Sequence, residues 1–161
     1  MKIFILLLSI TFYGTANADC TVNLKRLISK VNQKDVSRID RFLKRKAQFN
    51  TPSCLAKALI HTIKNNNVLI TNYLVSKDTN LDYIDHSTHE SAASLAIKKK
   101  DSRLLKRLFE NNANPKLIIE GKSLLDIATE QKHFLSLQIL EEYGVTAPLD
   151  CSLKNSMIPK C

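Results

Sequence analysis

The apolar residues of this chain fall in short stripes, each two or three helical turns long and each followed by a polar break. Leu24, Leu27, Ile28 and Val31 make one stripe, and Ile39, Phe42 and Leu43 the next. Leu55, Leu59 and Ile63 follow, then Leu69, Tyr73 and Leu74, then Leu104, Leu105, Leu108 and Phe109. A helix that short is marginal in water and cannot bury its apolar face alone. Such helices must stack. Self-similarity along the chain says how. The segment opened by Lys34-Asp35 superposes without a gap on the one opened by Lys100-Asp101, so that Ile39, Phe42 and Leu43 fall on Leu105, Leu108 and Phe109. Asn66-Asn67 opens a third copy and Lys132-His133 a fourth. Openings at 34, 66, 100 and 132 give steps of 32, 34 and 32 residues. Two short helices and a turn, recurring about every 33 residues, describe units that pack on their neighbours in a row.

That period and its content resemble the ankyrin-repeat family over nearly all of the chain after residue 18. The family's first-helix motif, Thr-Pro-Leu-His-Leu-Ala, survives in part. Ser91-Ala92-Ala93-Ser94-Leu95-Ala96 keeps its last two residues; Ser123-Leu124-Leu125-Asp126-Ile127-Ala128 keeps the apolar third position and the alanine. Gly121 stands where the family turns its hairpin finger and Gly144 where the second helix ends, both places that suit positive φ. In the second repeat the motif falls on Lys57 to Thr62 and is scarcely recognisable. The first repeat has lost it, as terminal capping repeats do. The resemblance implies an all-α ankyrin-repeat solenoid of about four helix-turn-helix repeats with end caps. The repeat domain would span 19–146, with repeats at about 21–50, 51–82, 90–115 and 122–146.

In the family, ligands lie across a concave face made of the fingers and the exposed side of each first helix. Carried onto this chain, that face is Asn32 and Gln33, Lys64 and Asn65, Lys98 and Lys99, then Glu130 and Gln131. The finger between the second and third repeats is two residues longer than the next, because its step is 34 rather than 32. Its tip would carry Tyr83, Ile84, Asp85, His86 and His89; the next finger would offer Ile118, Ile119, Glu120 and Lys122. An exposed tyrosine and isoleucines beside lysines suit an anchor-and-rim interface. A different role remains open for Ile84, Ile118 and Ile119, which could cover the core beneath the fingers. Lys98-Lys99-Lys100 could equally be a solvated helix end, where cations are favoured. The runs Arg38-Arg41-Lys44-Arg45-Lys46 and Arg103-Lys106-Arg107 belong to second helices, on the convex side.

The first eighteen residues read as a secretory signal: Lys2, an apolar run from Ile3 to Ile10, then Ala16-Asn17-Ala18 with small residues where a signal peptidase reads. Cleavage after Ala18 is expected, leaving 161 − 18 = 143 residues and lowering the formal charge from +9 to +8 with the loss of Lys2. Asp19 before Cys20 does not suit a lipid-anchor signal. No later apolar run approaches membrane length, so no transmembrane anchor is expected. Export implies the periplasm or the exterior, where cysteines pair, and no nucleic-acid partner is expected even for so basic a chain. Cys20, Cys54, Cys151 and Cys161 allow three pairings on paper, and none has the Cys-x-x-Cys spacing of a structural zinc site. The row of repeats that the resemblance implies would hold its ends on the order of 30 Å apart at normal helix spacing. It therefore assigns Cys20–Cys54 across the first two repeats and Cys151–Cys161 to closure of the 147–161 tail.

Chemistry-bearing clusters are sparse. His86, His89 and Glu90 are the one ligand-like group, and they lie on a connection rather than a helix; solvated finger residues are the expected reading. His61 sits in an apolar stretch as a hydrogen-bonded core or edge histidine. His133 opens a second helix, a place where the family often carries histidine. No His-Glu-x-x-His, phosphate loop or nucleophile elbow occurs. No catalytic residue, cofactor or metal is expected, and the chain reads as a non-enzyme. The expected function is protein binding in the periplasm. The partner would be one acidic protein, held on the concave face by an inhibitor or immunity-type protein that is a monomer when free. Alternatives are a basic envelope protein adsorbed to anionic lipid, lipopolysaccharide or cell-wall polymer, and a secreted factor that binds a host protein.

Overall fold

The computed structural model describes Leu24, Lys25, Ile28, residues 35–46 and residues 49–146. Cys20, Cys151, Cys161, Asn32, Gln33, the signal segment and the 147–161 tail lie outside the described residues. The chain is mostly helical. Its helices are α1 (Val36–Arg45), α2 (Pro52–Lys64), α3 (Val68–Val75), α4 (Ala92–Lys98), α5 (Ser102–Glu110), α6 (Leu124–Glu130) and α7 (Phe134–Glu142). A two-residue antiparallel hairpin, β1 (Ile118–Ile119) with β2 (Lys122–Ser123), precedes α6.

Six of the seven described helices start where the sequence supplies a side-chain acceptor for an orphan N–H group; α7, opened by His133, has no side-chain cap. Thr51 caps α2, while Ser91 with Ser94 and Ser123 with Asp126 form reciprocal capping boxes at α4 and α6. Asp35, Asn67 and Asp101 cap α1, α3 and α5. Each such cap is worth about 1 kcal/mol. Between the helices of a pair, Asn66, Lys100 and Lys132 turn the chain at φ +54°, +57° and +49°. The backbone hydrogen bonds around them are the same three times over: the N–H groups of Asn67, Asp101 and His133 donate five residues back to the carbonyls of Thr62, Ala96 and Ala128. Gly144, at φ +76°, takes the helix-ending position that Asn112 takes at +68° one repeat earlier. The period near 33 is thus repeated in backbone conformation as well as in sequence.

The helices form two layers. Pairs α2–α3, α4–α5 and α6–α7 each fold as a hairpin. The first helices then pack in a row, α2 on α4 on α6, while α1 packs on α3 and α5 on α7. One apolar core runs the length of this arrangement, from Leu24 and Ile28 through Ile39, Leu59, Leu74, Ile97, Leu108 and Leu124 to Leu140. Ala96 and Ala128, wholly enclosed and 32 positions apart, let neighbouring first helices approach closely. The second-helix row is also tied by polar contacts: Tyr73 Oη donates to Asp40 Oδ1 at 2.8 Å across 33 residues, and Lys44 and Lys77 flank the same carboxylate. These contacts draw the Asp40 carboxyl down to about 2, with the Lys44 and Tyr73 hydrogen bonds foremost.

One assignment of the apolar stripes needs correction. Leu69 is expected in the core with Tyr73 and Leu74, yet it is 44% exposed, and Val68 beside it is 62% exposed. The helix opens at Asn67, where the repeat places it, and its inward positions are Ile70, Thr71, Leu74 and Val75; Leu69 falls on Arg103 of the next repeat, an outward position. The Thr71 hydroxyl donates to Thr62 in α2 at 3.0 Å, and that of Thr62 donates to the Leu59 carbonyl. A pair of threonines thereby occupies the position where other repeats place aliphatic side chains.

Candidate partner-binding face

Two fingers project between successive helix pairs. In the first, the Asp85 N–H donates to the Glu90 carbonyl at 2.9 Å, and the four residues between them are turned by the Asp85 carboxylate, which accepts from the N–H and the hydroxyl of Ser87. In the second, Ile119 pairs with Lys122 around only two residues, Glu120 and Gly121. The two-residue difference is the one between the repeat steps of 34 and 32. His89 and Glu120 adopt matching left-handed conformations at the tips, φ +51° and +50°. His89 Nδ1 lies 3.1 Å from Glu120 Oε1, so the fingers touch.

Beneath the fingers, Glu90 organises the face. Its carboxylate is 16% exposed and holds Lys64 Nζ and Lys98 Nζ, each at 2.9 Å. Burial works against its charge, but the two ammonium groups prevail and keep its pKa below the ordinary glutamate value. Lys64 also donates to Thr88 Oγ1 at 3.2 Å. One repeat on, the same tie recurs with its signs exchanged. Glu90 pairs with Lys98 eight residues later, and Lys122 pairs with Glu130 eight residues later, at 2.6 Å. Lys99 is used differently: its ammonium donates to the Lys64 carbonyl at the end of α2 and, at 2.7 Å, to Asn66 Oδ1.

These contacts place the sequence-predicted residues as follows. Lys64, Lys98, Lys99, Asn65, His86, His89, Glu120 and Lys122 are exposed and lie on the helix ends and finger tips. Tyr83, Ile84 and Asp85 are half-buried; Tyr83 and Ile84 pack against the core, and the Tyr83 ring meets His86 edge-on at 6.4 Å. Ile119 requires correction as a contact residue. It is 4% exposed, whereas Ile118 is 62% exposed. Side chains alternate along the short β1 strand, so one isoleucine of the pair must enter the core and the other must leave it. Asn65 serves its own helix end, donating to His61 Nε2 at 2.9 Å and to the His61 carbonyl. Burial, with Lys25 and Lys64 nearby, lowers the His61 pKa. His133 Nδ1 meets Ser136 Oγ at 2.7 Å.

Glu90 is the residue of this face that sequence reasoning underweights: grouped with His86 and His89 it reads as a solvated finger residue, whereas it is half-buried between Lys64 and Lys98. The signal was the eight-residue spacing to Lys98, mirrored by Lys122 and Glu130. Cys54 is buried in α2. No group of three or more His, Cys, Asp or Glu side chains able to hold a metal occurs among the described residues. No helix among them is long and apolar enough to cross a membrane.

Set against protein-family models, curated proteins and solved structures, the chain matches none. Its function has to be argued from the face itself.

Proposed function

We propose that this chain is an ankyrin-type repeat protein that binds one protein partner across the face formed by its fingers and first-helix ends. The observation that carries the reading is the polar lattice that ties successive repeats on that side: Lys64–Glu90–Lys98, His89–Glu120 and Lys99–Asn66. A face whose side chains are already fixed loses little entropy when it docks, which is what a dedicated binding surface requires. Its exposed groups are mixed in kind, with His86 beside the Tyr83 ring, the apolar tip Ile118 and several lysines. That mixture suits a protein surface. The signal-like N-terminus, read with the cysteines, supports export to the periplasm or beyond, and an inhibitor or immunity-type role is the form of binding in keeping with a small, stapled chain.

Because Glu90 partly neutralises Lys64 and Lys98, the acidic partner first expected from the sequence would have to displace that carboxylate. Shape and the finger-tip side chains then contribute more to selectivity than net charge. The test is affinity capture from an extract of the exported proteins of the source cell, followed by titration with the isolated partner. Paired Tyr83→Ala and Ile118→Ala substitutions should weaken binding by about tenfold or more, as anchor truncations do. Affinity unchanged by both, with the fold intact, rules this face out.

An envelope-adsorbing role is favoured by one specific observation. Residues 19–50 hold nine Lys and Arg against three Asp and Glu, so they carry +6 of the +8 expected for residues 19–161. Arg38, Arg41 and Arg45 line a shallow cleft of about 260 Å³ over Phe42 on α1. Adsorption driven by that charge would collapse with salt, whereas finger-mediated protein binding would persist at moderate ionic strength.

A further inference from the structure

The inter-helix turns carry apolar side chains that the finger face does not use. Val68 and Leu69 open α3, and Phe134 and Leu135 open α7 at the same two register positions, 66 residues or two repeats later. They are 62%, 44%, 56% and 51% exposed. These four and Ile118 are the exposed large apolar residues among those described. The row of turns forms one edge of the molecule, as the Lys99 side chain shows by reaching from its own turn to Asn66 in the preceding one. At roughly 8–10 Å per stacked helix, the two apolar pairs stand about 20 Å apart on that edge.

Charge is segregated to the same edge. Residues 64–69, 98–103 and 130–135 hold six Lys and Arg against two Asp and Glu, a net of +4. All other residues from 51 to 146 hold six against nine, a net of −3. The positive charge of the last three repeats therefore lies on their turns. Lys64 and Lys98 reach away to Glu90. Lys100, Arg103 and Lys132 remain exposed between the two apolar pairs or beside them.

We propose that this turn edge docks on an anionic phospholipid bilayer, with Val68, Leu69, Phe134 and Leu135 entering the headgroup boundary and Lys100, Arg103 and Lys132 meeting lipid phosphates. Apolar side chains that seat in the interface beside cations are the two elements of reversible membrane binding. A bilayer also fits their distribution. Two small apolar pairs some 20 Å apart, separated by a cationic turn, need a planar and fluid partner rather than one contiguous complementary pocket. The finger tips, where Tyr83 and Ile118 would anchor a protein, stay clear, so substitutions at Leu69 and Leu135 test this inference apart from the partner-binding reading.

The chain has no tryptophan, which makes a clean reporter possible. Residues 1–18 are removed so that their apolar run cannot itself carry the protein to lipid; the described core from Leu24 to Leu140 lies wholly outside them. Phe134→Trp is then titrated with vesicles of one part phosphatidylglycerol to three parts phosphatidylethanolamine, and separately with phosphatidylcholine. A blue shift and protection from iodide are expected on the anionic vesicles alone. Leu69→Ser with Leu135→Ser should cut co-sedimentation by about tenfold or more, and Lys100→Glu with Lys132→Glu by a comparable factor. All four sites are exposed, and an unchanged circular dichroism spectrum confirms folding.

Three outcomes overturn the proposal. The first is no spectral change on either vesicle. The second is an emission already blue-shifted and quencher-protected without lipid, which means that the chain covers its own edge. The third is sedimentation indifferent to the serine substitutions while the same substitutions abolish capture of a protein, which would make the edge a protein interface.

Discussion

Shortening Leu105 to alanine probes the stacked core where it is most enclosed. Leu105 is 0% exposed in α5, a helix that packs on both α4 and α7. Three carbons leave a site that no solvent reaches, so the transfer loss alone is about 2–2.5 kcal/mol. The space left behind is walled by helices on two sides and can close only in part, which raises the total to about 3–4 kcal/mol. For an ordered region of about 120 residues the unfolding entropy is near 0.25 kcal/mol/K, so the melting temperature should fall by about 12–16 °C. The control is Leu69→Ala, the same chemical change at a side chain 44% exposed. It should cost less than about 1 kcal/mol and move the midpoint by no more than about 4 °C. Thermal unfolding followed by far-ultraviolet circular dichroism reads both. Equal shifts for the two variants, or a Leu105 shift as small as the control's, would refute the claim that burial in a two-layer stack governs stability.

The finger provides a parity test: Ile119→Asp should destabilise by several kcal/mol, because a carboxylate would enter a site 4% exposed, while Ile118→Asp should be nearly silent in the same melt. Acid should loosen the second-helix row in a defined window. The folded Asp40 carboxyl lies at about 2 against an ordinary 3.8, so its contribution is fully present above about pH 4 and is lost as pH falls towards 2. The difference in urea midpoint between the parent and Asp40→Asn should therefore be present at pH 6 and vanish near pH 2. Removing the cap hydroxyl with Ser123→Ala should cost about 1 kcal/mol, since Ser123 both accepts from the Asp126 N–H and opens the capping box of α6; a chemical-denaturation midpoint measures it.

Much of this architecture is local and therefore legible in sequence. Stripe length, cap residues and turn positions depend on neighbours within a few residues. Asp35, Asn67 and Asp101 open second helices at spacings that can be counted without coordinates, and Gly121 and Gly144 mark positive-φ sites, at +77° and +76°. The repeat period also fixes which helices become neighbours, because units too short to stand alone have only each other to cover them.

The long-range pairings were beyond its reach. Sequence put Lys64, Lys98 and Lys99 on an open face to meet an acidic partner; in three dimensions Glu90 and the turn at Asn66 meet them first. It listed Ile119 among the partner contacts while leaving open that it covers the core, and it put Leu69 in a buried stripe; Ile119 is buried and Leu69 exposed, since one position along a strand or a helix changes the side that a residue faces. By itself, then, the order of residues determined the mostly helical character and where the described helices are capped and turned, all set by local conformation and by the need to hide short apolar stripes. The tertiary structure alone decided which charges cancel, which isoleucine enters the core and which apolar pairs stay outside, because those outcomes depend on distances between residues some thirty positions apart.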